Sequence, residues 1–304
     1  TTTGMGTDQG KTSNVNAIGI MSKIQEVSIP HIGVTTFRPP YTPITFGAIT
    51  GQNRGELFEQ VRTTPIHKWH EDSGAIFEDV GDWKRPWYYP NMNEDMHSAV
   101  QRECKVVRTD VGIIDASTLG KIDIQGPDSV EFLNMIYTNS WQNLKVGQCR
   151  YGVMLNEQGM IFDDGVTTCL GKNHFHMTTT TGGASRVMVW LEEWLQTEWP
   201  EMKVYCTSVT EQWAVASISG PNARKLISEI TKADVSREAL PFMSMIETNV
   251  AGIPARVFRI SFTGESAFEI NVPARYGLHL WTSIIEAGVK YGIRPYGTEA
   301  MHVL

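Results

Sequence analysis

Cysteine is scarce in this sequence and scattered. Cys104, Cys149, Cys169 and Cys206 are the four thiols among 304 residues, with no C-x-x-C pair and no histidine at the usual metal-ligand spacings. That spacing offers neither a disulfide framework nor a zinc site, and four reduced packing thiols in a cytoplasmic protein are expected. No apolar run approaches the ~20 residues that cross a bilayer, and no basic-then-apolar leader opens the chain, so neither a membrane span nor export is expected. Basic clusters are lacking too: 26 Lys and Arg are dispersed among 33 Asp and Glu, for a net charge of −7. Nothing there would attract a phosphate backbone, and no nucleic-acid partner is expected. G-x-S-x-G, a Cys–His nucleophile pattern and a Walker loop are all missing, which removes hydrolase and nucleotidase readings. His174 and His176 stand two apart on a predicted strand without a third ligand, so no metal is expected.

Apolar residues make up 41% of the chain, enough for a sizeable core. Residues 1–57 differ from the rest. TTTGMGTDQGKTSN is a Gly-rich loop, VNAIGIMSKI reads as a helix, and TTFRPPYTPITFGAITG is a proline-punctuated extended stretch. Gly4, Gly6 and Gly10 ahead of a helix could cradle a phosphate through backbone N–H groups, although no strand precedes them and a plain loop is the alternative. At the other end YGTEAMHVL starts a helix at Thr298, read as an N-cap, that has under two turns to run. The expectation is a piece of a longer polypeptide.

From Thr64 onward strands and helices interleave. IDIQGPDSVEFLNMI and ASISGPNARKLISEI, 94 residues apart, share an alternating strand, a Gly-Pro turn and a helix, with Pro127 and Pro221 expected at the first helical position. This internal echo predicts two similar strand–helix units in an α+β domain. Val187, Trp190, Leu191, Trp194 and Leu195 form one apolar helical stripe, and Leu278, Trp281, Ile284 and Ile285 another. YGVML, NEQG and MIFDDGVTTCL read as a β-hairpin.

Two adjacent aspartates interrupt the second strand of that hairpin. A period of two puts Met160, Phe162, Asp164, Val166, Thr168 and Leu170 on one face, so Asp164 falls on the more apolar face and is expected to point inward. An inward carboxylate costs several kcal/mol unless it is hydrogen-bonded or functional, which makes Asp164 a candidate; a structural aspartate capping a turn is the alternative. Farther on, RISFTGESAFEINV holds Glu265 in a polar turn, read as solvated, and Glu269 on a strand face that alternation alone leaves ambiguous.

TPIHKWHEDSGAIFEDVGDWKRPWYYP, VRTDVGIIDASTLGKIDIQGPD, RYGVMLNEQGMIFDDG and FTGESAFEI, in this order, resemble the glycine-cleavage T-protein (aminomethyltransferase) family from about Thr64 to Leu304. TTTGMGTDQGKTSN, TTFRPPYTPITFGA, IDASTLGKIDIQGPD, TTTTGG and TSVTEQWA are similar, more narrowly, to the α subunits of heterotetrameric sarcosine oxidases. The resemblance implies an α+β folate-binding domain with antiparallel sheets over residues 58–304, its C-terminal β domain missing, after the tail of a dinucleotide-binding region at residues 1–57. It implies a tetrahydrofolate pocket in which Asp164, the second of the DD pair, is catalytic and Glu269 binds the pterin. A carboxylate offers two acceptors to the adjacent N3–H and 2-amino donors. Tyr151, Leu119, Thr180, Phe262 and Phe242 fall on further pocket positions.

There are departures. Phe262 and Phe242 stand where T-proteins carry Tyr, Leu119 where Met is common, Thr180 where Asn is common, Thr118 in place of a His, and Met301 in place of an Arg expected to meet the folate tail. The implied partners are a flavin-carrying β subunit and smaller subunits, with NAD and FMN or FAD only in the complete complex. There the flavin oxidises sarcosine, and folate bound to this chain traps the methylene-iminium as 5,10-methylenetetrahydrofolate, Asp164 taking up the released proton and stabilising the cation. The alternatives are a stand-alone aminomethyltransferase and a non-catalytic folate-binding scaffold. Residues 1–57 argue against the first, and the Lys-Gly-Cys signature of scaffold-type relatives is not visible.

Overall fold

The computed structural model describes residues 11–33 and 61–304, and the chain divides into two compact units, Thr1–Val61 and Arg62–Leu304. In the first, the VNAIGIMSKI segment lies within a helix, Lys11–Gln25, which begins four residues earlier than the apolar pattern indicates. A short helix, Ile29–Ile32, follows, with proline in its first turn. Gly4, Gly6, Gly10 and the proline-punctuated stretch lie outside the described residues.

The second unit has thirteen strands among its described residues: β1 Ile76–Val80, β2 Trp83–Tyr88, β3 Gly112–Asp115, β4 Gly120–Gln125, β5 Cys149–Leu155, β6 Ile161–Gly171, β7 His174–Thr179, β8 Tyr205–Ser208, β9 Trp213–Ser219, β10 Ser244–Val250, β11 Ile253–Arg259, β12 Ala267–Pro273 and β13 Arg294–Pro295. β1 and β2 form a ribbon. A six-stranded sheet runs β10-β11-β12-β9-β3-β13 and a five-stranded sheet β5-β6-β7-β4-β8. Every pairing is antiparallel except β13 with β3.

Each sheet buries one face under helices. On the five-stranded sheet, Ile122, Ile124, Phe175, Met177 and Met154 pack on Phe132, Leu133, Val187 and Leu191 of the helices Ser129–Ile136 and Ala184–Thr197. On the six-stranded sheet, Ala216, Ile218, Val257, Phe268 and Ile270 meet Leu226, Ile227, Leu280, Trp281 and Ile284 of the helices Ala223–Ile230 and Gly277–Gly288. Both predicted stripes are therefore helices, although Leu278 is exposed and Leu280 takes its place in the core. Truncating a side chain as enclosed as Trp281 or Phe268 to Ala costs about 3–5 kcal/mol.

The 94-residue echo is real, but its halves lie in different sheets: β4 leads into Ser129–Ile136 and β9 into Ala223–Ile230. Both turns begin at a glycine with positive φ, Gly126 at 129° and Gly220 at 136°. A Cβ there would lie 2.0 Å from the Lys203 carbonyl oxygen or 2.5 Å from that of Asp110, so only glycine fits. Pro127 and Pro221 sit within the turn and not at the first helical position, because that close approach delays helix entry until Ser129 and Ala223. Thr298 is likewise not the cap. It is the first residue of the helix Thr298–Val303, Gly297 precedes it, and its hydroxyl donates to the Glu78 carboxylate.

The remaining faces of the two sheets look toward each other. Cys149, Val166 and Leu170 of the five-stranded sheet pack against Met245, Phe258 and Ile260 of the other, and the His176 ring stacks on Phe258 with centroids 6.2 Å apart. β6 is thus covered on both sides, one by helices and one by a sheet.

Candidate functional site

The β5–β6 hairpin turns at NEQG, where the Asn156 side chain accepts from the Gln158 and Met160 backbone N–H groups and Gly159 takes φ 77°. Its register sets Val153 opposite Asp164 and Met154 opposite Asp163. The expectation that Asp164 points into the core is corrected: Asp163 is the buried one, 4% exposed, and Asp164 is half-buried. Alternation misleads here because the face with Val166 and Leu170 meets the opposing sheet, while the deeper core lies on the helix side, where Phe162, next to the hairpin's register shift, packs on Trp190.

The two carboxylates do different work. Asp163 accepts from the Thr180 backbone N–H at 3.2 Å and from its hydroxyl at 2.6 Å, holding the turn that enters the helix Ala184–Thr197. Burial raises the Asp163 carboxyl and the Thr180 bonds oppose that rise. Asp164 instead faces the opposing sheet and accepts from the Tyr151 hydroxyl at 2.8 Å, a diagonal cross-strand pair. That bond raises the Tyr151 phenol above its ordinary value. Thr180, a predicted pocket residue, is exposed and spends its hydroxyl on Asp163.

Across the gap, pairing lines up Phe258, Glu269, Ser217 and Ile114 on one face of the six-stranded sheet, so the ambiguous Glu269 turns away from the helix-packed core. Burial pushes its carboxyl up to about 7, with the charge of Lys121 working the other way, and no hydrogen bond contributes. Its charge also reaches Cys149, at the start of β5, whose thiol burial pushes up to about 12. Cys149 shares a face with Tyr151, so the Asp164–Tyr151 pair and Glu269 border the same space between the sheets. Phe262 and Phe242 project from the loops before β12 and β10 with 71% and 62% of their surface exposed. The Arg259 guanidinium lies over the Phe242 ring, 5.7 Å from its centroid. Leu119 lies in the turn before β4 and is half-buried.

Lys121 is the site residue that sequence reasoning missed. Only 1% exposed, it donates from Nζ to the carbonyls of Ser117 at 2.9 Å and Leu119 at 2.8 Å, clamping the turn that carries Leu119. Burial lowers its ammonium to about 8, against the charges of Asp115 and Glu269. In GKIDIQ it reads as an ordinary outward residue alternating with Ile122 and Ile124; the only available signal was that outward on β4 means toward the second sheet.

Other polar groups have structural partners. Asp115 accepts from Thr64 at 2.6 Å, lies 3.2 Å from His70 Nε2, and takes the Ser117 N–H at 2.9 Å; the Tyr89 hydroxyl meets His70 Nδ1 at 3.0 Å. Thr118 is buried against the Thr181 hydroxyl at 3.0 Å. Glu265 is not simply solvated: it pairs with Arg108 at 2.9 Å. His174 and His176 share Asp123 at 2.9 and 2.7 Å, and no group of three metal-binding side chains forms among the described residues. All four cysteines are free. A cavity of about 290 Å³ lined by Arg62, Trp83, Glu211 and Trp213 reaches the Lys121 turn through Ser117 and Thr210. No helix among the described residues is long and apolar enough to cross a membrane.

Helix-backed antiparallel sheets packed face to face define a mixed helix-and-sheet domain, and the chain belongs to the GCVT N-terminal domain family, whose model matches residues 66–304. Residues 1–52 match the sarcosine oxidase A3 domain. The chain is 56% identical over 300 residues to the sarcosine oxidase subunit alpha of Corynebacterium sp. (strain U-96), across 98% of this chain and 31% of that protein. It is 47% identical to the corresponding subunit of Rhizobium meliloti (strain 1021), across 100% of this chain and 31% of that one. It is 28% identical to an aminomethyltransferase of Bacillus subtilis (strain 168), across 80% of this chain and 64% of that enzyme. The crystal structure of glycine cleavage system aminomethyltransferase T from Bartonella henselae superposes with a TM-score of 0.67 at 26% identity, over 79% of this chain and 61% of that one. The chain spans 31% of the length of the sarcosine oxidase α subunits it matches.

Proposed function

We propose that the Arg62–Leu304 unit binds tetrahydrofolate between its two sheets and serves a sarcosine oxidase in which the one-carbon unit removed from sarcosine is taken up as 5,10-methylenetetrahydrofolate. One observation carries this reading: Glu269 is a carboxylate with both oxygens unspent, facing the gap between the sheets. A pterin offers two adjacent donors, N3–H and the 2-amino group, that fit such a carboxylate. Phe262 and Phe242, exposed on the loops before β12 and β10, are apolar rings of the kind a flat heterocycle stacks on. The residues present therefore fit the ligand.

The bound folate would supply the nucleophilic nitrogens, and the chain's own groups do the rest. Asp164, half-buried and already accepting from Tyr151, is placed to take up a proton from a folate amine and to stabilise a cationic one-carbon unit. Tyr151 orients that carboxylate. Asp163 and Thr180 set the position of β6 relative to the next helix, and Lys121 sets the turn bearing Leu119. The match of residues 1–52 to the sarcosine oxidase A3 domain supports this reading over a stand-alone aminomethyltransferase. On the same reading, residues 1–57 are the tail of a dinucleotide-binding region and residues 58–304 the folate domain; the partners are a flavin-bearing β subunit and smaller subunits, with NAD and FMN or FAD held elsewhere in that complex.

Thermal unfolding with folinic acid, a stable analogue of tetrahydrofolate, tests the reading, because a ligand that binds only the folded state raises the melting temperature with its concentration. A concentration-dependent rise is expected with folinic acid and none with p-aminobenzoylglutamate, which lacks the pterin. No rise with folinic acid, or an equal rise with both, contradicts a pterin site.

A further inference from the structure

A second concave site lies on the helix side of the five-stranded sheet, where the β5–β6 hairpin tip meets the helix Ala184–Thr197. The two enclose a cavity of about 280 Å³ whose lining includes Phe162, Trp190 and Trp194 together with Glu157, Glu193 and Glu198. Trp190 and Trp194 are four apart on the helix and so share a face. The rings stand at angles to one another. Phe162 lies 4.7 Å from Trp190 at 34°, and Trp190 is turned 85° from Trp194 with centroids 6.1 Å apart. Trp199 stacks on Trp194 at 5.0 Å and braces it. All three lining aromatics are half-buried. The volume is at the low end of ligand pockets, about 300–1,000 Å³, and suits a small molecule better than a cofactor.

The charge around this cavity is of one sign. Glu157, Glu193 and Glu198 are exposed and form no ion pair among the described residues. No basic side chain lines the cavity. Arg186 is engaged at Phe162, where its guanidinium lies over the ring 4.5 Å from the centroid and donates to the Phe162 carbonyl. One ring of the set therefore already accepts a cation on its face. The three carboxylates do not converge as a metal site would, since no group of three metal-binding side chains forms among the described residues. Aromatic faces with dispersed negative charge around them attract a cation whose own charge is dispersed.

We propose that this cavity is a binding site for a small organic cation carrying a methylated ammonium group, its N-methyl groups against Phe162, Trp190 and Trp194 and its charge balanced by Glu157, Glu193 and Glu198. The rings offer no strong acceptor, so a primary ammonium pressed on them would leave its N–H donors unmatched, whereas a fully methylated nitrogen has none to satisfy. A zwitterion would bring a carboxylate to three like charges with no cation lining the cavity, so the ligand carries net positive charge. This site is independent of the folate reading and lies on the other side of β6 from Asp164.

Calorimetric titration at constant ionic strength tests the assignment with choline as the probe, 3,3-dimethyl-1-butanol as its uncharged isostere, trimethylglycine as the zwitterion and N-acetyl-lysine amide as a stand-in for a partner's lysine. Saturable binding of choline is expected, at least tenfold tighter than each of the other three. Trp190→Leu should weaken choline binding about 5- to 30-fold, as expected for losing a desolvated cation–π contact. Glu193→Gln combined with Glu198→Gln changes only exposed groups and keeps the fold even where Trp190→Leu does not; it should weaken choline at least about twofold and leave 3,3-dimethyl-1-butanol unaffected. No saturable choline binding, or equal affinity for choline and its uncharged isostere, overturns the proposal. Tighter binding of N-acetyl-lysine amide overturns it in favour of a partner's side chain, and unchanged choline affinity in a folded Trp190→Leu and in the double glutamate variant removes the ligand from this cavity.

Discussion

Asp163 and Asp164 are neighbours in sequence, but substitutions there should be felt in different measurements. Asp163→Asn gives up one acceptor in the pair of bonds to Thr180, and a loss of about 1–3 kcal/mol is expected for a buried network of that kind. Urea unfolding should show that loss while folinic acid affinity stays within about twofold. Asp164→Asn, at a half-buried position with one tyrosine partner, should change stability by less than about 1 kcal/mol and cripple methylene transfer in the assembled enzyme. Equal losses of transfer in the two variants would contradict the separate roles given to these carboxylates. Glu103, fully buried, accepts from the backbone N–H groups of Tyr89 and Gly297, and burial raises its carboxyl to about 7. A raised carboxyl contributes stability that is complete below its ordinary value near 4.5 and is lost as pH rises through 7. The melting-temperature advantage of the unmodified chain over Glu103→Ala should therefore shrink between pH 5 and 8; an advantage that grows over that range would refute the shift.

The turns and short linkers carry the next level of constraint. Gly220→Ala would force a Cβ into the Asp110 carbonyl oxygen at a backbone angle that L residues rarely adopt, and a loss above about 2 kcal/mol is expected in chemical denaturation. Wild-type stability in that variant would mean that the strand-to-helix turn relaxes freely. Asp115 ties Thr64 and His70 to β3 and its turn. Burial pushes its carboxyl up, but the bonds from His70, Ser117 and Thr64 outweigh burial and hold it below the usual range. A depressed carboxyl stabilises above its ordinary value and loses that contribution as pH falls through the folded one, so Asp115→Asn should be markedly destabilised at pH 7 and nearly level with the unmodified chain in strong acid. A constant difference across pH would show that the carboxylate charge is not what binds these segments.

At this level the sequence was readable where one face of an element is exposed. The helices Ala184–Thr197 and Gly277–Gly288 showed through their apolar stripes, and the hairpin through its alternation. It misled where both faces are covered, as on β6, since period-two counting cannot rank a helix-packed face against a sheet-packed one. Lys121 and Asp123 were illegible for the same reason: on β4 the polar side is interior. Resemblance, not periodicity, directed attention to Glu269, and only the pairing of β12 with β9 and β11 placed that residue on the gap side.

Taken whole, the Arg62–Leu304 unit is two helix-backed sheets held face to face, and their facing sides carry what an ordinary core avoids: a carboxylate without hydrogen bonds, a buried ammonium and a half-buried aspartate. Such groups are kept where a ligand compensates them. The central claim is that this ligand is a reduced folate held through Glu269. Calorimetric titration of folinic acid into the unmodified chain and into Glu269→Ala tests it most directly. The account predicts saturable one-to-one binding by the unmodified chain that falls by at least tenfold in Glu269→Ala, while circular dichroism reports the same fold in both; equal affinity in a folded Glu269→Ala, or no binding to either, would contradict it.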